Sequence, residues 1–261
     1  MHIITLTSDW AEHDYYVASV KGSILSRCPE ATIIDISHRI RPFNTAQAAF
    51  VVRNSFHRFP EGSVHIIAVS TEPGSGGQLL AARKNNHFFL CADNGLLGLL
   101  GDPEPDLVVA LKELPADQQA SFVSLDVFAG AACALATGKP LEEMGGTAGQ
   151  YERQVPLRAV IENNTITGSV IYIDSYSNAI TNISKELFDR VGHGQAFQIF
   201  VQSKHYMINQ INHHYHETPP GELLAIFNSA GLLEIAIRNG NAASLLKLNT
   251  SSSIRVEFKE K

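Results

Sequence analysis

The chain is poor in cysteine, in surplus positive charge and in long hydrophobic runs, and each shortage excludes something. Cys28, Cys91 and Cys133 stand far apart in mostly apolar settings, an odd set with no CxxC pair. That pattern speaks against both a disulfide framework and a zinc site. Against 20 Lys and Arg there are 26 Asp and Glu, so the formal net charge of -6 leaves no footprint for nucleic acid or an anionic membrane surface. The longest run of small apolar residues, 128–136, is too short to cross a bilayer. The N-terminus, Met1-His2-Ile3-Ile4-Thr5-Leu6-Thr7, has no basic stretch followed by a long apolar one, so no signal peptide is visible. These absences predict a soluble protein of the reducing cytoplasm with no nucleic-acid or membrane partner.

What is present is enough apolar material for a substantial core. With 44% hydrophobic and 18% charged residues over 261 positions, the composition is that of one large globular domain or two modest ones. Apolar runs at 3–7, 32–36 and 64–69 read as buried strands. Between them, Tyr16, Val17, Val20, Ile24 and Leu25 recur at helical spacing over 14–27, with Pro29 as the stop. A second helix is expected over 44–58, with Asn44 or Thr45 as N-cap. Alternating strands and helices with short links are the βαβ signature of a parallel sheet. A hairpin around Lys84-Asn85-Asn86, a strand at 107–111 and a helix over 127–137, capped by Ser124 or Asp126, complete this half.

After Gly145-Gly146 the composition changes. Residues 146–165 hold few apolar clusters and read as a linker. Short β-patterned segments follow at 167–174, 179–184, 196–201, 223–227, 233–236 and 254–258. That density predicts an antiparallel barrel or sandwich. The fold class is therefore α/β: an N-terminal α/β domain over 1–145, then a C-terminal antiparallel β-barrel domain over 166–261.

The third strand runs into Ser70-Thr71-Glu72-Pro73-Gly74-Ser75-Gly76-Gly77-Gln78. Glycines and hydroxyls after a parallel strand let backbone approach a ligand, and Glu72 adds a carboxylate at the sheet edge where ligands bind in open α/β folds. The loop lacks the Gly-Lys-Ser/Thr ending of a phosphate-binding P-loop. Further on, the histidines of His213-His214-Tyr215-His216 lack the spacing of a metal site and read as a solvated loop. His38 and His65 read as hydrogen-bonded structural histidines, and Cys91 as a core residue.

Several ordered stretches together carry a resemblance. They are Thr7-Ser8-Asp9 with Asp14, Lys21-Gly22, Asp35-Ile36-Ser37-His38, Ile40-Arg41-Pro42, the run 59–65 and Asp93-Asn94-Gly95-Leu96-Leu97. The second half adds Ile173-Asp174 with Asn178, Thr181-Asn182-Ile183, then Asn228-Ser229-Ala230-Gly231-Leu232-Leu233-Glu234-Ile235-Ala236 and Gly240-Asn241-Ala242-Ala243. Over nearly its whole length the chain resembles the S-adenosylmethionine (SAM) hydroxide adenosyltransferases, relatives of the fluorinases and chlorinases. The resemblance implies a homotrimer that binds SAM, as substrate or ligand and without further cofactor, between the N-terminal domain of one subunit and the C-terminal domain of the next. It implies that Asp9 holds the ribose hydroxyls and that Asp14 lies near the methionine end. Asp174 and Ser229 would hold the methionine ammonium and carboxylate. Asn178 and the Ala242 backbone would bond the adenine edge, with Phe43, Tyr176 and Tyr215 as aromatic faces. The chemistry suits these types: a diol wants a bidentate acceptor, a purine an amide and aromatic surfaces.

The sequence departs from the family at the reacting positions. Hydrolysing members read Asp-Pro-Gly-x-Gly-Thr-x-Arg in the glycine loop and Phe-His-Gly-Arg-Asp later, and the Asp, Arg and His activate the attacking water. The corresponding residues are Glu72, Leu79 and Val123. Expected catalytic residues are therefore Glu72 as base or water anchor, with Ser75 or Ser124 orienting the water. Ser124 also matches a halide-contacting serine of the fluorinase, but a carboxylate at 72 would repel a halide. Ala230 stands where the fluorinase has an arginine. Two functions follow: a SAM hydrolase giving adenosine and methionine, or a binding protein that kept the nucleoside site and lost the chemistry.

Overall fold

The structure is a computed structural model that describes residues 2–71, 77–112 and 121–259. It forms two compact units, divided between Pro156 and Leu157.

The first unit runs β1 (His2–Ser8), α1 (Tyr15–Arg27), β2 (Ala31–Ser37), α2 (Thr45–Arg53), β3 (Val64–Ala68), β4 (Leu79–Lys84), β5 (His87–Ala92), α3 (Leu96–Leu99), β6 (Leu107–Leu111), α4 (Ala129–Ala136) and β7 (Gly145–Thr147). Its seven strands lie in the order β2-β1-β3-β5-β4-β6-β7. β1 pairs in parallel with β2 and β3, and β3 with β5, whereas β4, β6 and β7 join antiparallel. The parallel sheet read from the sequence is thus one part of a mixed sheet, completed by the hairpin expected at 84–86.

Every residue of β3 is buried, as a strand covered on both faces requires. Alternation then sorts the side chains. Ile66 and Ala68 pack with Val20 and Ile24 of α1 and with Ala129, Ala132 and Cys133 of α4. Ile67 and Val69 pack with Ala48, Ala49 and Val52 of α2 and with Leu96 and Leu97 of α3. Each of these larger side chains contributes about 1.5–3 kcal/mol by leaving water. Because β1, β2, β3 and β5 are parallel, their carboxyl ends emerge at one edge, bringing Asp9, His38, Ser70 and Asn94 to the same side of the sheet.

The helices differ from expectation in two places. Asn44 is the N-cap of α2, its side chain accepting from the Gln47 N–H, but the helix ends at Arg53 and a separate 3₁₀ turn spans Phe56–Arg58. Ser124 caps nothing: Ser124–Phe128 is a π-helical turn leading directly into α4.

The second unit runs β8 (Val160–Glu162), β9 (Thr165–Ile173), β10 (Ala179–Ser184), α5 (Lys185–Gly192), β11 (Phe197–Val201), β12 (Ser203–Ile208), β13 (Leu223–Phe227), β14 (Leu232–Ile237), α6 (Ala242–Leu245) and β15 (Ser253–Phe258). The strands follow the order β12-β11-β15-β9-β10-β14-β13, with β8 pairing β9, and every named pair is antiparallel. Just past β12, Asn212 bridges to Ile226 of β13, which nearly closes the sheet into a barrel. Ile166, Val170, Ile199, Leu233, Ile235, Ile254 and Val256 fill the interior. Ser184 caps α5, placing Phe188 against Phe197, Phe227 and Phe258. The stretch read as a linker contributes β7 to the first sheet and β8 to the second.

Candidate active site

In the first unit the site is built on the turn that leaves β1. Asp9 Oδ2 accepts the Phe43 backbone N–H at 2.9 Å. Phe43 has φ of 63°, a left-handed conformation that costs a non-glycine residue about 1–3 kcal/mol unless its surroundings impose it. Its ring is 74% exposed. The carboxylate read as a ribose ligand therefore also holds an aromatic ring in an unpacked, outward position.

Beneath that turn lies a polar chain that runs from buried Ser8 and His38 out to partly exposed Asp35 and Lys21. Ser8 Oγ is 2.7 Å from His38 Nδ1, and His38 Nε2 is 3.1 Å from Asp35 Oδ1. Lys21 Nζ reaches the other Asp35 oxygen at 2.5 Å. Partial burial pushes the Asp35 carboxyl up, but hydrogen bonds from Lys21 and His38 and their charges outweigh it, and the net direction is down. His38 O also accepts the Ala11 N–H, and the Trp10 ring stacks on the His38 ring. His38 is thus the hydrogen-bonded structural histidine expected of it. His65 is too, between Thr5 Oγ1 at 2.8 Å and His87 Nδ1 at 3.1 Å.

Asp14, expected near the methionine end, is exposed at the start of α1. Its side chain makes no cap hydrogen bond and lies 3.7 Å from the His13 ring nitrogen. Glu72 and Ser75 lie outside the described residues. Ser124 is fully buried, and its Oγ has no partner among the described residues. Beside it, Val123 belongs to the apolar cluster under the sheet, and Leu79 packs against that same cluster. The two positions where the hydrolysing pattern has a cation and a histidine are therefore both apolar, Val123 buried in that cluster and Leu79 partly buried against it. Cys91 is fully buried among Ile67, Val69 and Phe89, and burial, with the Asp93 charge, pushes its thiol up to about 12, as befits a core residue.

In the second unit the β9–β10 turn repeats the device seen at Asp9. Asp174 Oδ1 accepts the backbone N–H groups of Tyr176 and Asn178 at 2.9 and 2.8 Å, and Oδ2 accepts from Asn178 Nδ2 at 3.2 Å. Tyr176 is 76% exposed, and Ser177 beside it is left-handed at φ of 61°. A carboxylate has about four acceptor positions, so Asp174 can organise its turn and still receive a ligand donor. With Nδ2 engaged, Asn178 keeps its Oδ1 for an external donor such as an exocyclic amine. Ala242, buried at the start of α6, is tied to this turn because the Ala243 N–H donates to Ser177 O at 2.8 Å. Ser229 is exposed in the turn between β13 and β14. Tyr215 stands on a 3₁₀ turn, half-exposed, its hydroxyl donating to Glu234.

The site set thus falls into two groups. Asp9 with Phe43 forms one; Asp174, Tyr176, Asn178 and the start of α6 form the core of the other. Glu234, Ser8 and the Asp35–His38 pair were missed as contributors. The signal for Glu234 was a lone charge inside the apolar strand Leu232-Leu233-Glu234-Ile235-Ala236-Ile237. Among the described residues, no three or more His, Cys, Asp or Glu side chains gather as a metal site.

An α/β unit with ligand-facing strand ends, followed by a nearly closed β unit with polar turns and unpacked aromatic rings, defines a two-part small-molecule-binding protein. Residues 4–145 match the SAM hydroxide adenosyltransferase N-terminal domain and residues 168–255 the C-terminal domain, and the chain belongs to that family. A relative named (R)-S-adenosyl-L-methionine hydrolase from Thermus thermophilus is 30% identical, over 98% of this chain and 100% of its own. One of the same name from Salinispora arenicola is 27% identical, over 97% of each chain. A protein named fluorinase from Nocardia brasiliensis is 26% identical, over 98% of this chain and 96% of its own. Among solved structures, an uncharacterized conserved protein from Thermotoga maritima superposes with a TM-score of 0.87 at 27% identity, covering 97% of this chain and 99% of its own.

Proposed function

We propose that this protein binds SAM and transfers its 5′-adenosyl group to water, giving adenosine and methionine. The observation that carries this reading is the full-length match, through both units, to relatives named for SAM hydrolysis. In the reaction a water oxygen forms a bond to C5′ as the C5′–S bond breaks. The sulfur leaves with the electron pair as the neutral thioether of methionine, and the water proton passes to a base. Glu72 is the assigned base from its place in the sequence, with Ser75 orienting the water, or Ser124 once the ligand uncovers its buried Oγ, which has no partner among the described residues. The sulfonium is already a good leaving group, so the step calls for no metal or other cofactor. Asp9 would hold the ribose diol, Asp174 and Ser229 the methionine end, Asn178 and Ala242 the adenine edge. Phe43, Tyr176 and Tyr215 would offer aromatic faces. Asp14, exposed and uncapped, is left for the methionine end. The assembly assigned to it is a cytoplasmic homotrimer with its sites between subunits.

A second reading is favoured by one observation. Leu79 and Val123, at the arginine and histidine positions, both pack on the same apolar cluster, so neither can supply a charge to water. A protein so built would bind a nucleoside without turning it over. Incubation with SAM, followed by chromatography for adenosine and methionine beside Glu72→Gln, separates the two. The hydrolase gives both products in equal amounts and loses them in the variant. Absence of product with calorimetric binding retained supports the second reading, and absence of binding to any adenosine derivative overturns both.

A further inference from the structure

β14 is apolar except for one residue. Glu234 sits between Leu233 and Ile235, paired across the sheet with Ile180 and Ile226, and is 3% exposed. Its partners among the described residues are neutral. Tyr215 Oη donates to Oε1 at 2.7 Å, and Asn228 Nδ2 donates to Oε2 at 3.1 Å. A buried carboxylate held only by neutral donors is an expensive way to fill a strand, because nothing offsets its desolvation by direct charge. Its value is therefore geometric.

The Asn228 amide cannot turn over, because its Oδ1 accepts the backbone N–H groups of Ala230 and Leu232 at 3.0 and 3.3 Å. Its NH₂ must then face Glu234. Tyr215 brings a hydroxyl to the other oxygen. The Asn228 NH₂ requires an acceptor at Oε2, and the second carboxylate oxygen holds the Tyr215 hydroxyl as a donor; an apolar side chain of similar size offers neither bond.

We propose that Glu234 is a positioning residue for the ligand site, its one carboxylate fixing both the Tyr215 ring and the turn that carries Ser229. This rests on the SAM-site reading, which places an aromatic face at Tyr215 and a methionine contact at Ser229. The turn is further closed by the Gly231 N–H donating to Asn228 O, with Gly231 left-handed at φ of 69°. Held this way, stacking surface and turn are set before a ligand arrives, which removes ordering entropy from binding. Burial, then the hydrogen bond and charge of Glu234, with the Asp174 charge behind them, push the Tyr215 hydroxyl well above its usual range, so it remains a donor throughout the working pH range.

The test is a double-mutant cycle on the full chain, using Tyr215→Phe, Glu234→Leu and their combination. Adenosine and SAM are titrated by calorimetry, with thermal midpoints measured alongside. Tyr215→Phe takes the donor from the buried Glu234 Oε1, so its midpoint should fall modestly while the fold is kept. Its dissociation constant for adenosine should rise about tenfold, the scale of one hydrogen bond to a charged group. Glu234→Leu, which loses both acceptors, should weaken adenosine and SAM at least as much, and adding Tyr215→Phe to it should weaken them little further. Where turnover is measurable, the loss should appear in KM more than in kcat. Equal, additive losses, or unchanged binding in Glu234→Leu, would overturn the positioning role while leaving the SAM site intact. A wild-type protein that binds neither compound would overturn the site reading and this inference with it.

Discussion

Ser8 Oγ and His38 Nδ1 meet at 2.7 Å with Ser8 wholly enclosed, and the chain continues through Asp35 to Lys21. The order serine, histidine, aspartate is that of an acyl-transfer triad, but a fully buried serine cannot meet a substrate carbonyl. Here the chain fastens the exits of β1 and β2 to each other directly below Asp9. His38→Leu should lower stability by about 1–3 kcal/mol, since Ser8 Oγ loses its buried partner. Urea denaturation measures this. In parallel, a fluorophosphonate probe should leave Ser8 unlabelled; labelling there would contradict the structural role.

Asp9 links the same turn to Phe43. Asn at position 9 keeps an oxygen for the Phe43 N–H but presents an NH₂ where a second acceptor stood. Asp9→Asn should therefore keep its thermal midpoint and bind adenosine about 10–100-fold more weakly, as expected for a lost hydrogen bond to a charged group. The wild-type protein should prefer adenosine over 2′-deoxyadenosine, and the variant should lose most of that preference. A variant that still discriminates would remove Asp9 from the ribose.

Much of this was legible in the chain. The periodicities at 3–7, 14–27, 32–36 and 64–69 locate the parallel strands and α1 because strands buried on both faces and amphipathic helices leave strong local patterns. The β segments at 179–184 and 223–227 match β10 and β13 residue for residue. Less visible were β8 and β12: β8 is wholly exposed, and both lie at the margin of the sheet, so neither carries a buried run. Ser124 reads as a cap because serine before an apolar run usually is one. Its π-helical turn depends on how α4 packs under the sheet, which no local spacing encodes. Glu234 shows no role in its local sequence, because its meaning lies in Tyr215, 19 residues earlier and brought back by the barrel.

Val123 is 8% exposed in the cluster formed with Ala68, Phe128 and Ala129. Restoring the histidine of the hydrolysing pattern there is thus not a simple repair. Val123→His would push a larger, polar ring into apolar surroundings and should destabilise the protein by about 1–3 kcal/mol. Turnover of SAM should not rise, since the arginine position, Leu79, stays apolar. Denaturation and the product assay check the two halves. A stable variant with faster turnover would mean that the backbone at 123 already presents this position to the reacting carbon.

The acid limit of stability is set in part by His65. It lies fully buried between Thr5 and His87, and burial, aided by the charge of a protonated His87, holds its pKa down to about 3. The ordinary value of an unfolded histidine is about 6.5. The unfolded chain therefore takes up the proton first, and the stability contributed by neutral His65 is complete above about pH 6.5. Below that it is lost as pH falls toward 3, at up to about 1.4 kcal/mol per pH unit for this one group. His87, pushed down mainly by its own burial, adds to the slope in the same direction. Between pH 7 and pH 5 the urea midpoint should fall by an amount equivalent to about 2 kcal/mol from His65 alone. His65→Gln can keep a bond to Thr5 without titrating, so it should flatten that slope while lowering stability at pH 7. A variant whose midpoint falls as steeply as the wild type would assign the acid sensitivity to other groups.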